Sequence, residues 1–235
     1  MALIPFYEWL PDTSHPAQLF VVLHGEQSDP QAMLGMATAL RATFPHSVIL
    51  TPASGQLGEN VNAGYVWFAI GENGELTDTQ QAEAVHRALP ELEGYVRQAQ
   101  QRFGLTPAQT ALAGFSQGAT MALELAVHAR LAGRVLAFSG RFATLPTQLP
   151  PACTFHFLHG QDDLVTSVAH AQNAHVRLGT LNADSTIDIA SHVGHELHPA
   201  LVARAIVRLQ TCVPLHSWKE ALGATETVPQ GVTLH

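Results

Sequence analysis

Thr110-Ala111-Leu112-Ala113-Gly114-Phe115-Ser116-Gln117-Gly118-Ala119-Thr120-Met121-Ala122 is the stretch around which this chain is organised. Its first four residues form a short apolar run that reads as a buried strand. The residues from Ala119 to Ala126 are mostly strong helix formers. Between the two stands Gly-x-Ser-x-Gly. A serine on a tight strand-to-helix turn projects its hydroxyl clear of the sheet. The flanking glycines let strand and helix pack closely and carry no side chain to obstruct the serine. The pentapeptide alone is common. In this setting it predicts a nucleophile elbow.

With 235 residues the chain is long enough for a large core, and it reads as one domain over residues 1–222 with a polar tail at 223–235. Hydrophobic residues make up 46% and charged ones 13%, which suits a parallel sheet covered on both faces. The net charge is −8 and no Lys/Arg cluster occurs, which argues against nucleic acid and against anionic membranes as partners. No apolar stretch approaches the ~18 residues of a membrane span. The start, Met1 to Trp9, lacks a basic segment and a cleavage site. The expectation is a cytoplasmic protein with no stable membrane association. Cys153 and Cys212 are too few for a disulfide framework and read as buried free thiols.

Strand and helix patterns alternate outward from the elbow. Residues 3–9 read as an edge strand and 17–23 as a central one, ending in His24-Gly25-Glu26-Gln27-Ser28-Asp29. A helix is expected from Pro30 to Thr43, then a strand over Ser47–Leu50. Residues 51–76 form a long Gly/Asn-rich segment containing Trp67 and Phe68, which either line a substrate pocket or pack in the core. Thr77 and Gln80 form a capping-box pattern opening a helix to Phe103, which Pro90 is placed to kink or break. After the elbow helix come strands at 134–138 and 154–158, a helix at 167–181 and a strand at 186–190. A last helix spans 199–210, with another turn or two at 217–222. This alternation predicts an α/β fold with a mostly parallel sheet of about seven strands flanked by helices.

In such sheets the site gathers at the carboxyl ends of the strands. His24, Ser116, Asp163 and His195 all fall at such ends. Serine needs a base to take its proton, and the base needs an acid to orient it. The order nucleophile, acid, histidine is available as Ser116, then Asp162 or Asp163, then His192, His195 or His198. Spacing alone does not choose between the aspartates. Gly194 lets a loop turn His195 toward the serine. The His192, His195 and His198 spacing is not that of a zinc site, so no metal is assigned. His24 reads as shaping its loop. The backbone N–H groups of Gln117, just after the serine, and of Glu26 are the expected oxyanion donors. The Glu26 carboxylate is expected to point away, because negative charge beside a developing oxyanion raises the barrier.

The chain resembles the bacterial carboxylesterase/phospholipase branch of the α/β-hydrolases, which also contains acyl-protein thioesterases. The resemblance rests on Val22-Leu23-His24-Gly25, Trp67-Phe68, Gly114 to Ala119, Leu158-His159-Gly160 with Asp163, and Gly194-His195. It extends over about residues 17–222. It implies an α/β-hydrolase fold, Asp163 as the triad acid, His195 as the base, and Glu26 and Gln117 as oxyanion donors. One departure stands out: where the family often has a second glycine in the first loop, this chain has Gln27.

The intervals from Ser116 to Asp163 and from Asp163 to His195 are too short for a cap domain, so an open site is expected. That suits short-to-medium acyl esters hydrolysed by a serine carboxylesterase with no cofactor and no metal. A small-molecule ester is the expected partner, and the oligomeric state, monomer or homodimer, is open. An acyl thioesterase or lysophospholipase using the same three residues is the alternative. A non-catalytic binding protein on the same fold is a further one.

Overall fold

The computed structural model describes residues 3–58, 64–69, 76–149 and 152–212. Among these residues seven strands form one sheet in the order β1-β3-β2-β4-β5-β6-β7. They are β1 (Ile4–Trp9), β2 (Gln18–Leu23), β3 (Ser47–Ala53), β4 (Thr110–Phe115), β5 (Arg134–Phe138), β6 (Thr154–Gly160) and β7 (Asp184–Ala190). All neighbours are parallel except β1, which runs antiparallel along β3. Among the described residues five α-helices cover the sheet: α1 (Leu34–Thr43), α2 (Asp78–Phe103), α3 (Gln117–Ala129), α4 (Val168–Thr180) and α5 (Pro199–Thr211).

The two-residue period of the strands divides the core. Leu19, Val21, Leu23, Val48, Leu112, Val135, Phe155 and Phe157 pack with α2, α3 and α4 on one face. Phe20, Val22, Ile49, Ala113, Leu136, Phe138 and Leu158 pack with α1 and α5 on the other. Both faces being covered explains why the central strands read as continuous apolar runs rather than alternating ones.

Some boundaries differ from the sequence reading. The expected helix at 30–43 opens as a 3₁₀ turn, Pro30–Met33, capped by the Asp29 side chain, which accepts from Gln31 N at 2.7 Å. The third strand continues past Leu50 to Ala53 because β1 supplies antiparallel partners that far. Pro90 neither breaks α2 nor interrupts its buried stripe of Val85, Leu89, Leu92 and Val96. It lies on the exposed face, where water can serve the carbonyl that lost its N–H partner. The Thr77/Gln80 capping box is present. Cys153 is a buried free thiol, its pKa pushed up to about 12 by burial, but Cys212 is only partly buried. The turn expected at 217–222 and the tail at 223–235 lie outside the described residues. Among the described residues no helix is long and apolar enough to cross a membrane.

Candidate active site

Ser116 joins β4 to α3 with φ 52° and ψ −119°, a conformation that side-chain-bearing residues avoid. Such strain costs roughly 1–3 kcal/mol and needs support from its surroundings. Here Ser116 N donates to Phe138 O at 2.9 Å, and Ser116 O accepts from Ala119 N and Thr120 N at 3.0 and 3.1 Å. The glycines are there for space. A Cβ on Gly114 would lie 2.3 Å from the carbonyl of Gly118, and one on Gly118 would lie 2.4 Å from the carbonyl oxygens of Leu23 and His24.

Three separate strand ends bring Ser116, Asp163 and His195 together. Ser116 Oγ lies 3.1 Å from His195 Nε2, and His195 Nδ1 lies 2.8 Å from Asp163 Oδ2. With Nδ1 donating to the carboxylate, Nε2 is left to accept the serine hydroxyl proton. The other oxygen, Asp163 Oδ1, accepts from Val165 N at 2.9 Å and Thr166 N at 2.8 Å. Burial opposes ionisation of Asp163. The Thr166 N–H, the hydrogen bond and charge of His195, and the Val165 N–H outweigh it and hold the pKa below the ordinary carboxylate value. Asp162, His192 and His198 are not part of this arrangement, and the His198 side chain instead caps α5 by accepting from Ala200 N at 3.2 Å.

The loop after β2 passes beside the serine: a Cβ on Gly25 would come 3.6 Å from Ser116 Cβ. Gln117 is the first residue of α3, where helix geometry leaves amides without intrahelical partners. Its side chain joins three segments. Oε1 accepts from Trp67 N at 3.0 Å, while Nε2 donates to Phe68 O at 3.1 Å and to Glu26 Oε2 at 3.2 Å. The Glu26 carboxylate therefore stays at the site rather than pointing away. Burial raises its pKa, against the Gln117 hydrogen bond and the His195 charge. Gln27 adopts φ 48°, the left-handed conformation that glycine adopts without strain. The chain thus reaches a glycine-like turn without the glycine.

His24 is wholly buried and structural. Its Nδ1 donates to Gly25 O at 2.7 Å and its Nε2 accepts from Ser54 N at 3.2 Å. Burial lowers its pKa to about 4, despite the Gly25 carbonyl and Asp29. Trp67 stacks on it at 4.9 Å and donates from Nε1 to His24 O at 2.8 Å.

A cleft of about 210 Å³ opens over Ser116, lined by Glu26, Phe68, Leu76, Gln117, Arg141 and Val165 among others. Phe68 thus faces the cleft, whereas Trp67 packs behind it. Two further residues escaped the sequence reading. Arg141 donates to Asp78 Oδ1 at 3.0 Å and to Gln81 from the cleft wall. Buried His159 places Nε2 3.3 Å from Asp163 Oδ2 while bonding Thr166 O at 2.7 Å. The pattern His159-Gly160 was visible as a motif, but nothing local showed its contact with the acid. Just past the acid, Leu164 and Val165 are 98% and 73% exposed, with Val165 on the cleft wall.

The profile of the Phospholipase/Carboxylesterase family matches residues 10–213. The chain belongs to that family of α/β-hydrolases and is a carboxylic-ester hydrolase. It is 35% identical over 206 residues to "Esterase YpfH" of Escherichia coli, covering 87% of each chain. The structure of esterase PE8 superposes with a TM-score of 0.80 at 25% identity, over 91% of this chain and 100% of that one. The Bacillus cereus carboxylesterase shares the fold, with a TM-score of 0.70 at 20% identity over 85% and 90% of the two chains.

Proposed function

We propose that this chain is a serine carboxylesterase that cleaves short-to-medium acyl esters through an acyl-enzyme on Ser116. The observation that carries the reading is the hydrogen-bonded series from Ser116 Oγ through His195 to Asp163, at 3.1 and 2.8 Å. His195 Nε2 takes the hydroxyl proton as Ser116 Oγ bonds to the ester carbonyl carbon. Asp163 fixes the imidazole tautomer and stabilises the imidazolium. The negative charge that develops on the carbonyl oxygen is met by the backbone N–H groups of Gln117 and Glu26. Collapse of the tetrahedral species expels the alcohol, which takes the proton from His195. Water then repeats the sequence on the acyl-enzyme, releasing the carboxylic acid and restoring Ser116.

The small cleft and the short connections between β4 and β7 favour compact acyl groups. Phe68, Leu76 and Val165 supply apolar wall. An acyl thioesterase would use the same steps, and matched oxyester and thioester substrates separate the two by rate.

The test is labelling with a fluorophosphonate and hydrolysis of a nitrophenyl butyrate. Ser116 should be modified at one site per chain, and Ser116→Ala should lose nearly all turnover. Wild-type turnover in that variant would overturn the assignment. An intact protein that neither labels nor hydrolyses would instead favour a binding role.

A further inference from the structure

The cluster with the most unexplained chemistry lies away from the serine cleft, between α2 and α3. His86 projects from α2, and Glu124 and His128 stand one turn apart on α3. Their ligand atoms all lie within 4.8 Å of one another, and no other such group of three occurs among the described residues. His86 Nε2 is 3.2 Å from His128 Nε2, and His128 Nε2 is 3.2 Å from Glu124 Oε2.

These contacts do not satisfy one another well as hydrogen bonds. His128 Nε2 has one in-plane position, holding either a proton or a lone pair. A proton there must be divided between His86 and Glu124. A lone pair there can accept from His86 but faces the Glu124 carboxylate. A cation between them takes both nitrogens and the carboxylate oxygen as ligands. The two 3.2 Å separations at His128 also fit. Ligands about 2.0–2.1 Å from a tetrahedral zinc ion lie roughly 3.3–3.4 Å apart.

The carboxylate is built in rather than left on a mobile side chain. Glu124 is 3% exposed, and its Oε1 is fixed by Ala143 N at 2.7 Å and Thr144 N at 3.3 Å, leaving Oε2 toward the histidines. Hydrogen bonds that orient a ligating group in this way are a regular feature of metal sites. His86 and His128 are exposed and meet edge-on, with ring centroids 4.8 Å apart at 88°. An adjoining cavity of about 380 Å³ gives an ion access and room for water as a fourth ligand.

We propose that His86, Glu124 and His128 form a divalent zinc site that clamps α2 to α3. The sequence reading assigned no metal to this chain. Glu124-x-x-x-His128 has helical spacing suited to two ligands, but their partner lies 38 residues upstream of Glu124 in the chain. The site shares no residue with the serine cleft, so zinc here acts on the scaffold and not on the ester. Its nitrogen and oxygen donors suit Zn²⁺ and Co²⁺ better than Mg²⁺ or Ca²⁺.

The experiment titrates the chelator-treated full chain with Zn²⁺ against a chromophoric competitor, and with Co²⁺ by visible absorption. One tight Zn²⁺ per chain is expected, with the intense d–d bands of tetrahedral Co²⁺ and a rise in Tm on adding Zn²⁺. His86→Ala and His128→Ala should each weaken Zn²⁺ binding at least tenfold and remove the Co²⁺ bands, while metal-free ester hydrolysis stays at the wild-type rate. Both histidines are exposed, so these variants should fold, which the retained hydrolysis verifies. Zn²⁺ binding of equal affinity in the double variant would place the ion on other histidines and overturn the proposal. So would a wild-type chain that binds neither ion.

Discussion

Gln117 Nε2 donates to Glu26 Oε2 at 3.2 Å, tying the first residue of α3 to the loop after β2. The same side chain serves Trp67 N and Phe68 O. One amide thus sets the separation of the two backbone segments expected to hold the oxyanion. Gln117→Ala leaves a buried N–H and a buried carbonyl without partners, at about 1–3 kcal/mol. Chemical denaturation should show that loss. Hydrolysis should fall roughly tenfold in kcat, since the amide proposed to act in catalysis is retained but displaced.

Glu26 places a carboxylate where negative charge must develop. Glu26→Gln keeps an oxygen to accept from Gln117 and removes the charge. For a neutral ester, kcat should rise a few-fold, equivalent to about 1 kcal/mol. A fall in kcat would mean that the charge assists the reaction through His195.

Asp163 holds His195 by one oxygen and two backbone N–H groups by the other. Asp163→Asn presents an amide group that can accept at one atom only. The imidazole then loses its fixed tautomer, and kcat should drop on the order of a thousandfold with KM little changed. Steady-state kinetics on a nitrophenyl ester checks both values.

Acid should destabilise the fold through its buried histidines. His24 and His156 have pKa values lowered from 6.5 to about 4, chiefly by burial. For His156, Arg134 and Arg208 push the same way, against Asp188. The neutral form is favoured in the fold, so only the unfolded chain gains protons as pH falls below about 6.5. Stability is complete above that pH and is lost down to about pH 4, by about 2 kcal/mol per histidine at pH 5. Asp163 and Asp188 have depressed pKa values, so their contribution disappears only at lower pH. Urea midpoints at pH 7 and pH 5 should differ accordingly, and His156→Gln should reduce the difference.

Two glycines should respond in opposite directions. Gly118→Ala drives a methyl group to 2.4 Å from the carbonyl oxygens of Leu23 and His24, and should cost about 3 kcal/mol or abolish folding. Gly94, inside α2, has nothing within 4 Å of the place a methyl group would take, and Gly94→Ala should add about 0.5–1 kcal/mol. Thermal unfolding of the two variants side by side reads this contrast.

The elbow, the strand order of the site residues and the alternating layers could be read from sequence because each depends on local pattern. Ser116 sits between an apolar run and a helical run, and both periods are visible without a fold. The choice of Asp163 over Asp162 was not visible in spacing; it depends on a turn that directs Oδ1 to Val165 N and Thr166 N. Pro90 leaves α2 unbroken because its exposed side faces water, which helix propensity does not register. Gln117, Arg141 and His86 act through partners far away in the chain. Gln117 meets Glu26 across 91 positions and Arg141 meets Asp78 across 63. Such contacts appear only when the sheet has assembled.

Ser116, Asp163 and His195 follow three different strands, β4, β6 and β7. Between β6 and β7 the register runs unbroken from Thr154↔Asp184 to Gly160↔Ala190. A slip of one residue there would move one side by about 3.3 Å, more than a hydrogen bond can absorb. On the proposed role of Ser116, the reactivity of one hydroxyl would work as a built-in gauge of strand alignment. A covalent serine probe would then count molecules whose sheet is correctly threaded, and would follow refolding without a dye, a tag or a spectroscopic signal.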